Sequence, residues 1–218
     1  MQNQEDVLAN AARVLGISLR ETEDVLTRDL LRATASYINC TDGVNGDVPT
    51  ELTASDLTNV AVTLLDNDAY TITENIEGEN KFGTAPIRDA FLMMSNTKIA
   101  KDLERIPDFV SKNSYPSTAA GIRSEYGAYN NIRILLSSLG SSSVAASTKG
   151  ATVYNNFVMG MNAYSVIEQN GASAEFIYRP AMYSGPLALN VTTGYKFSYA
   201  GAILQDLHIL NLRSTLRN

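Results

Sequence analysis

Few side chains in this sequence could do chemistry, and their spacing argues against most of it. His208 is the only histidine and Cys40 the only cysteine. A catalytic histidine needs a nucleophile or metal beside it and an acid to orient it. No Gly-x-Ser-x-Gly elbow or His-rich metal spacing accompanies His208 in Leu207-His-Ile-Leu210, so it reads as a structural or interface residue. One His and one Cys leave a zinc site to carboxylates, against zinc's preference for nitrogen and sulfur. Asp42, Asn45 and Asp47 lie in a Gly-rich stretch that could suggest calcium. Their spacing misses the Asp-x-Asp-x-Asn-Gly pattern and no Glu closes the loop, so an ordinary turn is expected. Glu74, Glu77 and Glu79 might form a glycosidase pair, but they sit in a polar loop without aromatics to stack a sugar and read as solvated acids. Gly-x-Gly-x-x-Gly and Gly-Lys-Ser/Thr phosphate loops are absent, and Gly43-x-x-Gly46 alone means nothing. Asn39-Cys-Thr41 and Asn190-Val-Thr192 match the glycosylation pattern without a secretion signal. No catalytic, cofactor-binding or metal residue is assigned, no cofactor is expected, and the chain is read as a non-enzyme.

Composition bounds the rest. The 218 residues suffice for one sizeable core, or one larger and one smaller unit, without covalent staples. A lone cysteine excludes an intramolecular disulfide and fits a reducing cytoplasm. Met1-Gln-Asn-Gln-Glu-Asp6 lacks the basic and apolar regions of a signal peptide, and no stretch approaches the roughly 18 apolar residues of a membrane span; a soluble protein without membrane contact is expected. The formal charge of −6, from 17 Lys+Arg against 23 Asp+Glu, argues against wrapping nucleic acid by neutralising phosphates. The 11 Tyr suit surfaces that are part apolar and part hydrogen-bonding, and suit a β-rich core equally.

The elements that would position these residues follow from periodicity. Leu8, Ala11, Leu15, Leu19, Leu26, Leu30, Ala33 and Tyr37 form one helical stripe, predicting a long helix to Asn39 with a bend or break at Gly16. Thr53-x-x-Asp56 caps a second helix carrying Leu57, Val60, Ala61, Leu64 and Leu65. Phe91-Leu-Met-Met94 reads as a buried strand, after which Ser95 or Asn96 caps a third helix through Ile99, Leu103 and Ile106, closed by Pro107. Beyond Tyr129 strands are predicted at Ile132–Leu136, Val153–Met159, Tyr164–Ile167, Glu175–Tyr178, Val191–Tyr199 and Ala202–Leu212, the last two separated by Ala200-Gly201. Ser137–Gly150 is rich in Ser, Gly and Ala and is expected to be a mobile, exposed loop. Helices first and strands later make the fold class α+β.

Several short strings come in one order. Asp29-Leu-Leu-Arg32, Gly83-Thr-Ala-Pro-Ile87, Asp102-Leu103, Phe109 and Glu125-x-Gly127 with Arg133 are followed by Tyr154, Gly160-Met-Asn-Ala163, Ser184-Gly-Pro-Leu187, Gly194-Tyr-Lys196 and Ala202-Ile-Leu204. Their order over roughly residues 20–210 resembles the major capsid proteins of N-four-type podophages, which have the Hong Kong 97 fold. Tyr195 stands where the family has Trp.

The resemblance implies a structural subunit of an icosahedral head, made in the host bacterial cytoplasm and resident in the virion. It would contact copies of itself in capsomers and heterologous rings, with other head proteins as further partners, and enclose DNA without sequence-specific binding. It also implies a spine helix and loop of the peripheral domain at 1–50, an axial domain of mixed sheet and helices at 51–185, and C-terminal strands returning to the peripheral domain at 186–218. Arg20, Arg28, Arg32, Tyr195 and Lys196 are the candidate interface residues, the arginines facing acids on a neighbour. Family members carry an N-terminal arm and an extended hairpin before the helix at which this sequence begins. The 218-residue chain is therefore expected to fold alone and to form monomers or small rings. An encapsulin-like compartment shell, which would dock a cargo peptide, and a monomeric binding module are the alternatives.

Overall fold

The computed structural model describes residues 2–34, 36–40, 48–72, 89–115, 122, 124–144, 151–167, 174–179 and 192–217. The described residues hold three α-helices, all in the first half of the chain, and twelve strands. Helix α1 (Gln2–Thr34) leads into β1 (Ser36–Asn39), α2 (Ala54–Asp66), β2 (Phe91–Asn96) and the short α3 (Ala100–Leu103). There follow β3 (Val110–Ser111), β4 (Glu125–Tyr129), β5 (Ile132–Ser137), β6 (Ser142–Val144) and β7 (Thr152–Met159). The chain continues through β8 (Tyr164–Ile167), β9 (Glu175–Arg179), β10 (Thr192–Lys196), β11 (Ala200–Ile203) and β12 (Ile209–Thr215).

These elements fall into two compact units. The smaller comprises residues 1–27 and 165–202, the larger 28–164 and 203–218. Both units divide the chain at points other than 1–50, 51–185 and 186–218.

The larger unit is built on an eight-stranded mixed sheet in the order β1-β12-β7-β2-β5-β4-β3, with β6 also on β7. The β1–β12 and β2–β5 pairs are parallel. Because side chains alternate across a strand, the central strands contribute to two cores at once. On one face Phe91, Met93, Tyr154, Val158, Leu210 and Leu212 belong to a cluster with Leu57, Val60 and Leu64 of α2. On the other, Leu92, Phe157, Met159 and Ile209 cluster with Leu31, Ile122 and Ala163. Each fully buried side chain of this size contributes about 1.5–3 kcal/mol relative to exposure. The α2 cap is the expected one: Thr53 Oγ1 accepts from the Asp56 amide, and the Asp56 carboxylate accepts from the Thr53 amide at 3.1 Å.

Polar side chains also cross the sheet interior. Ser95 donates to Asn156 Oδ1 at 2.6 Å, and Asn156 Nδ2 donates to Ser214 Oγ at 2.9 Å. Asn211 donates to Asn155 at 3.0 Å, and Asn155 donates to Ser141 Oγ at 3.1 Å. A one-residue slip of β7 against β12 would break these bonds and turn the apolar residues to the wrong faces, so the network reinforces the register.

Five expectations are corrected. The first helix stops at Thr34, because Ser36–Asn39 gains a parallel ladder on β12 that a fifth helical heptad would forgo. It also runs unbroken through Gly16, where a side chain would meet open space. Ala200-Gly201 lies inside β11, and the break falls at residues 204–208 before β12. The first part of Ser137–Gly150 is packed: Ser141 is buried, residues 142–144 are β6, and a Cβ on Gly140 would come within 2.6 Å of the Asn96 backbone. Residues 145–150 lie outside the described residues. The third helix is capped by Asn96, whose Oδ1 accepts from the Lys98 amide, but it is only a 3-10 turn followed by Ala100–Leu103.

Candidate assembly surface

The residues with chemical potential are confined by their surroundings. Cys40 is fully buried, and burial followed by the nearby Asp56 charge pushes its thiol well above the ordinary range, so it is held protonated and unreactive. His208 is buried at the start of β12, its Nδ1 3.2 Å from the Met161 carbonyl and its ring edge-on to Tyr70 at 6.2 Å. That carbonyl contact fixes the proton on Nδ1 and gives the ring a structural partner. Among the described residues no group of three or more His, Cys, Asp or Glu could hold a metal ion, and no helix is long and apolar enough to cross a membrane. Asp42, Asn45, Asp47, Glu74, Glu77 and Glu79 lie outside the described residues.

Several of the ordered short strings turn out to be packing junctions. Glu125 and Arg133 form a buried ion pair at 3.3 Å across the β4–β5 hairpin. The Glu125 carboxylate also accepts from Tyr115 Oη and the Ile122 amide, both at 2.7 Å, so one anion ties two further segments to the sheet. A Cβ on Gly127 would come within 2.4 Å of the Phe109 ring, which explains why Phe109 and this glycine occur together. Asp102, within α3, is buried and accepts from the Arg217 amide at 3.2 Å. Gly160 brings the end of β7 against Tyr70, whose carbonyl would lie 2.7 Å from a Cβ there, and its amide donates to the His208 carbonyl. Gly83–Ile87 and Ser184–Leu187 lie outside the described residues.

The five candidate interface residues divide. Arg28 is engaged within its own chain, paired with Asp29 at 2.8 Å and donating to the Leu139 carbonyl at 2.9 Å. Arg20 and Arg32 are exposed on α1 and have no ion-pair partner among the described residues. Tyr195 is half-buried. Its hydroxyl lies 3.3 Å from Thr22 Oγ1 and is held below the usual tyrosine range by hydrogen bonds from Ser18 and then Thr22. Tyr199 makes the corresponding contact with Thr27 at 2.9 Å, so two tyrosines seat this segment on α1. Lys196, next to Tyr195, is exposed.

The surface that sequence reasoning missed is apolar. Among the described residues of the smaller unit none is buried, whereas Val7, Val14 and Ile17 of α1 and Phe176, Ile177 and Tyr178 of β9 are exposed. The β9–β10 ladder pairs Phe176 with Tyr195, Ile177 with Gly194 and Tyr178 with Thr193, so its apolar residues point to both faces of a two-stranded ribbon. Such a ribbon is marginal in water without a covering layer. Three consecutive large apolar residues between Glu175 and Arg179 were the available signal, since a strand with one wet face would alternate.

No model of a known family matches the sequence, and comparison with curated proteins finds no match. Comparison of folds gives a different result. The chain is similar to a subunit in the head of Helicobacter pylori bacteriophage KHP40, with TM-score 0.56 and 10% identity over 97% of this chain and 69% of that one. The fold is one found in phage heads. It is found equally in the holo-SrpI encapsulin complex of Synechococcus elongatus PCC 7942, with TM-score 0.57 and 11% identity over 97% and 67% of the two chains. The capsid of cyanophage P-SCSP1u gives TM-score 0.52 and 11% identity over 96% and 66%. The α+β class, the long helix and the large mixed sheet are thus shared with capsid and encapsulin subunits.

Proposed function

We propose that this chain is a structural subunit of an icosahedral phage head, a major capsid protein of Hong Kong 97 type that self-associates into capsomers enclosing DNA. The observation that carries this reading is the similarity of 97% of the chain to a phage-head subunit. The order of its short strings supports placement with the N-four-type podophages. The buried Cys40 and His208 support a role without turnover. Production in the bacterial cytoplasm and residence in the virion follow from the same reading.

In this reading residues 1–50 and 186–218 supply the peripheral domain and residues 51–185 the axial domain. Arg20, Arg32 and Lys196 stand at contacts between copies. The acidic balance suits enclosure of DNA rather than binding along its phosphates. An encapsulin-like shell is the second reading, favoured by the comparable likeness to the encapsulin subunit.

Expression beside the other head proteins of its source, followed by electron microscopy and nuclease protection, tests the proposal. Particles that contain this chain and shelter DNA support it. Closed particles that fill with a protein cargo instead favour the second reading. A chain that stays monomeric alone and with those partners, at high concentration, removes both.

A further inference from the structure

We infer that the outer face of the β9–β10 ribbon of one copy docks on the outer face of α1 of a second copy, with Ile177 against Val14 and Ile17 and Arg179 against Glu21 and Asp24. The inference rests on the shell reading and names the contact it requires in the smaller unit.

The two faces are identified by what each element already uses. On α1, Ser18 and Thr22 turn toward Tyr195, and Thr27 toward Tyr199. At about 100° per residue, Val14, Ile17, Glu21 and Asp24 fall together on one flank of the helix, centred about 100° round from Ser18 and Thr22 and about as far from Thr27. Val14 and Ile17 are 53% and 52% exposed, and Glu21 and Asp24 are exposed as well. On the ribbon, Tyr195 turns one face toward α1, so the alternate residues Glu175, Ile177, Arg179, Thr192, Gly194 and Lys196 form the other. A Cβ at Gly194 would meet nothing within 4 Å, which leaves a flat apolar patch around Ile177.

Charge and spacing select the occupant. Glu175 stands opposite Lys196 in the ladder, so that end of the ribbon face is balanced, while Arg179 stands opposite Thr192 and has no ion-pair partner among the described residues. On α1 the order is apolar, apolar, acid, acid. Ile177 to Arg179 spans about 7 Å of strand. Ile17 to Glu21 spans about 6 Å of helix. With Ile177 on Ile17, Arg179 therefore reaches Glu21. The apolar centre with a charged margin is the usual anatomy of a protein interface. Each copy offers both halves, so the contact is heterologous and propagates from copy to copy.

Charge reversal tests it on the full chain. Sedimentation equilibrium over a range of protein concentrations should show the apparent dissociation constant of Arg179→Glu raised by about tenfold or more. Glu21→Arg should do the same, and the two reversals combined should recover most of the affinity. Both positions are exposed, so circular dichroism should report unchanged folding. If the wild type assembles and both single reversals assemble equally well, the contact is wrong while the shell reading stands. Loss in both singles without recovery in the pair also overturns the contact. A wild type that never associates, alone or with its head partners, overturns the contact together with the shell reading.

Discussion

The two units treat apolar side chains in opposite ways. In the larger unit Phe91, Met93, Leu57, Leu64 and Leu212 are sealed between α2 and the sheet. In the smaller, Phe176 is 46% and Val14 53% exposed, and among the described residues none is buried. The first pattern is that of a core that closes on itself. The second is that of a surface awaiting another layer, because an exposed ribbon with apolar side chains on both faces gains little from folding alone. On the proposed reading, self-sufficiency and assembly are thus assigned to different parts of one chain.

The sharpest way to break this comparison is to truncate one phenylalanine in each region. Phe91→Ala should lower the urea unfolding free energy by about 3–5 kcal/mol, as expected for a large buried aromatic. Phe176→Ala, at a half-exposed position, should change it by less than about 0.5 kcal/mol. Comparable losses from both would mean that the smaller unit has a core of its own.

Next in size is the buried pair of the β4–β5 hairpin. Arg133→Met strands the Glu125 carboxylate and should cost about 3–5 kcal/mol, while the double change Glu125→Met with Arg133→Met should recover part of that loss. Thermal unfolding of the three proteins checks the order. A single variant as stable as the wild type would show that the pair is not sealed from water.

Glycines sharpen the contrast further. Gly160→Ala pushes a methyl toward the Tyr70 carbonyl and should destabilise by about 1–3 kcal/mol. Gly16→Ala, in the exposed middle of α1, should stabilise by about 0.5–1 kcal/mol. Opposite signs in urea titrations are the expected result.

The smallest effect concerns pH. Tyr126 Oη donates to the Glu104 carboxylate, and that hydrogen bond raises the tyrosine above its usual range. A folded-state value above the unfolded one means that this contribution is complete below about pH 10 and is lost as pH rises through the folded value. Tyr126→Phe should therefore flatten the alkaline limb of the melting temperature profile. Because the side chain is only partly buried, an identical limb in both proteins would show that the bond is screened away.

What could be read in the sequence was local. The Thr53–Asp56 box, the Phe91–Met94 run and the β-prone Val153–Met159 segment each announce their element within a few residues. What could not be read depended on distant partners. Ser36–Asn39 carries the helical stripe but is captured by β12, more than 170 residues away in sequence. Ser137–Val144 has a loop's composition, yet Gly140 and Ser141 are placed by Asn96 and Asn155. Glu125–Tyr129 mixes an acid and a glycine and shows no strand pattern, because its acid is neutralised by Arg133 and its glycine is required by Phe109. For the surface, Lys196 was legible as exposed, but the intrachain engagement of Arg28 and the apolar faces of the ribbon were not, since each depends on what folds against what.

The position of β12 has a consequence for biosynthesis. This strand lies between β1 and β7, and it is translated after every other strand of the sheet. Until residues 209–215 leave the ribosome, β1 has no neighbour and β7 presents an open edge, so the domain stays unfinished through most of its synthesis. A nascent chain therefore remains dependent on chaperones until late. A product aborted before Ile209 lacks the strand that completes the sheet and is expected to be degraded, so only chains that reach this strand persist.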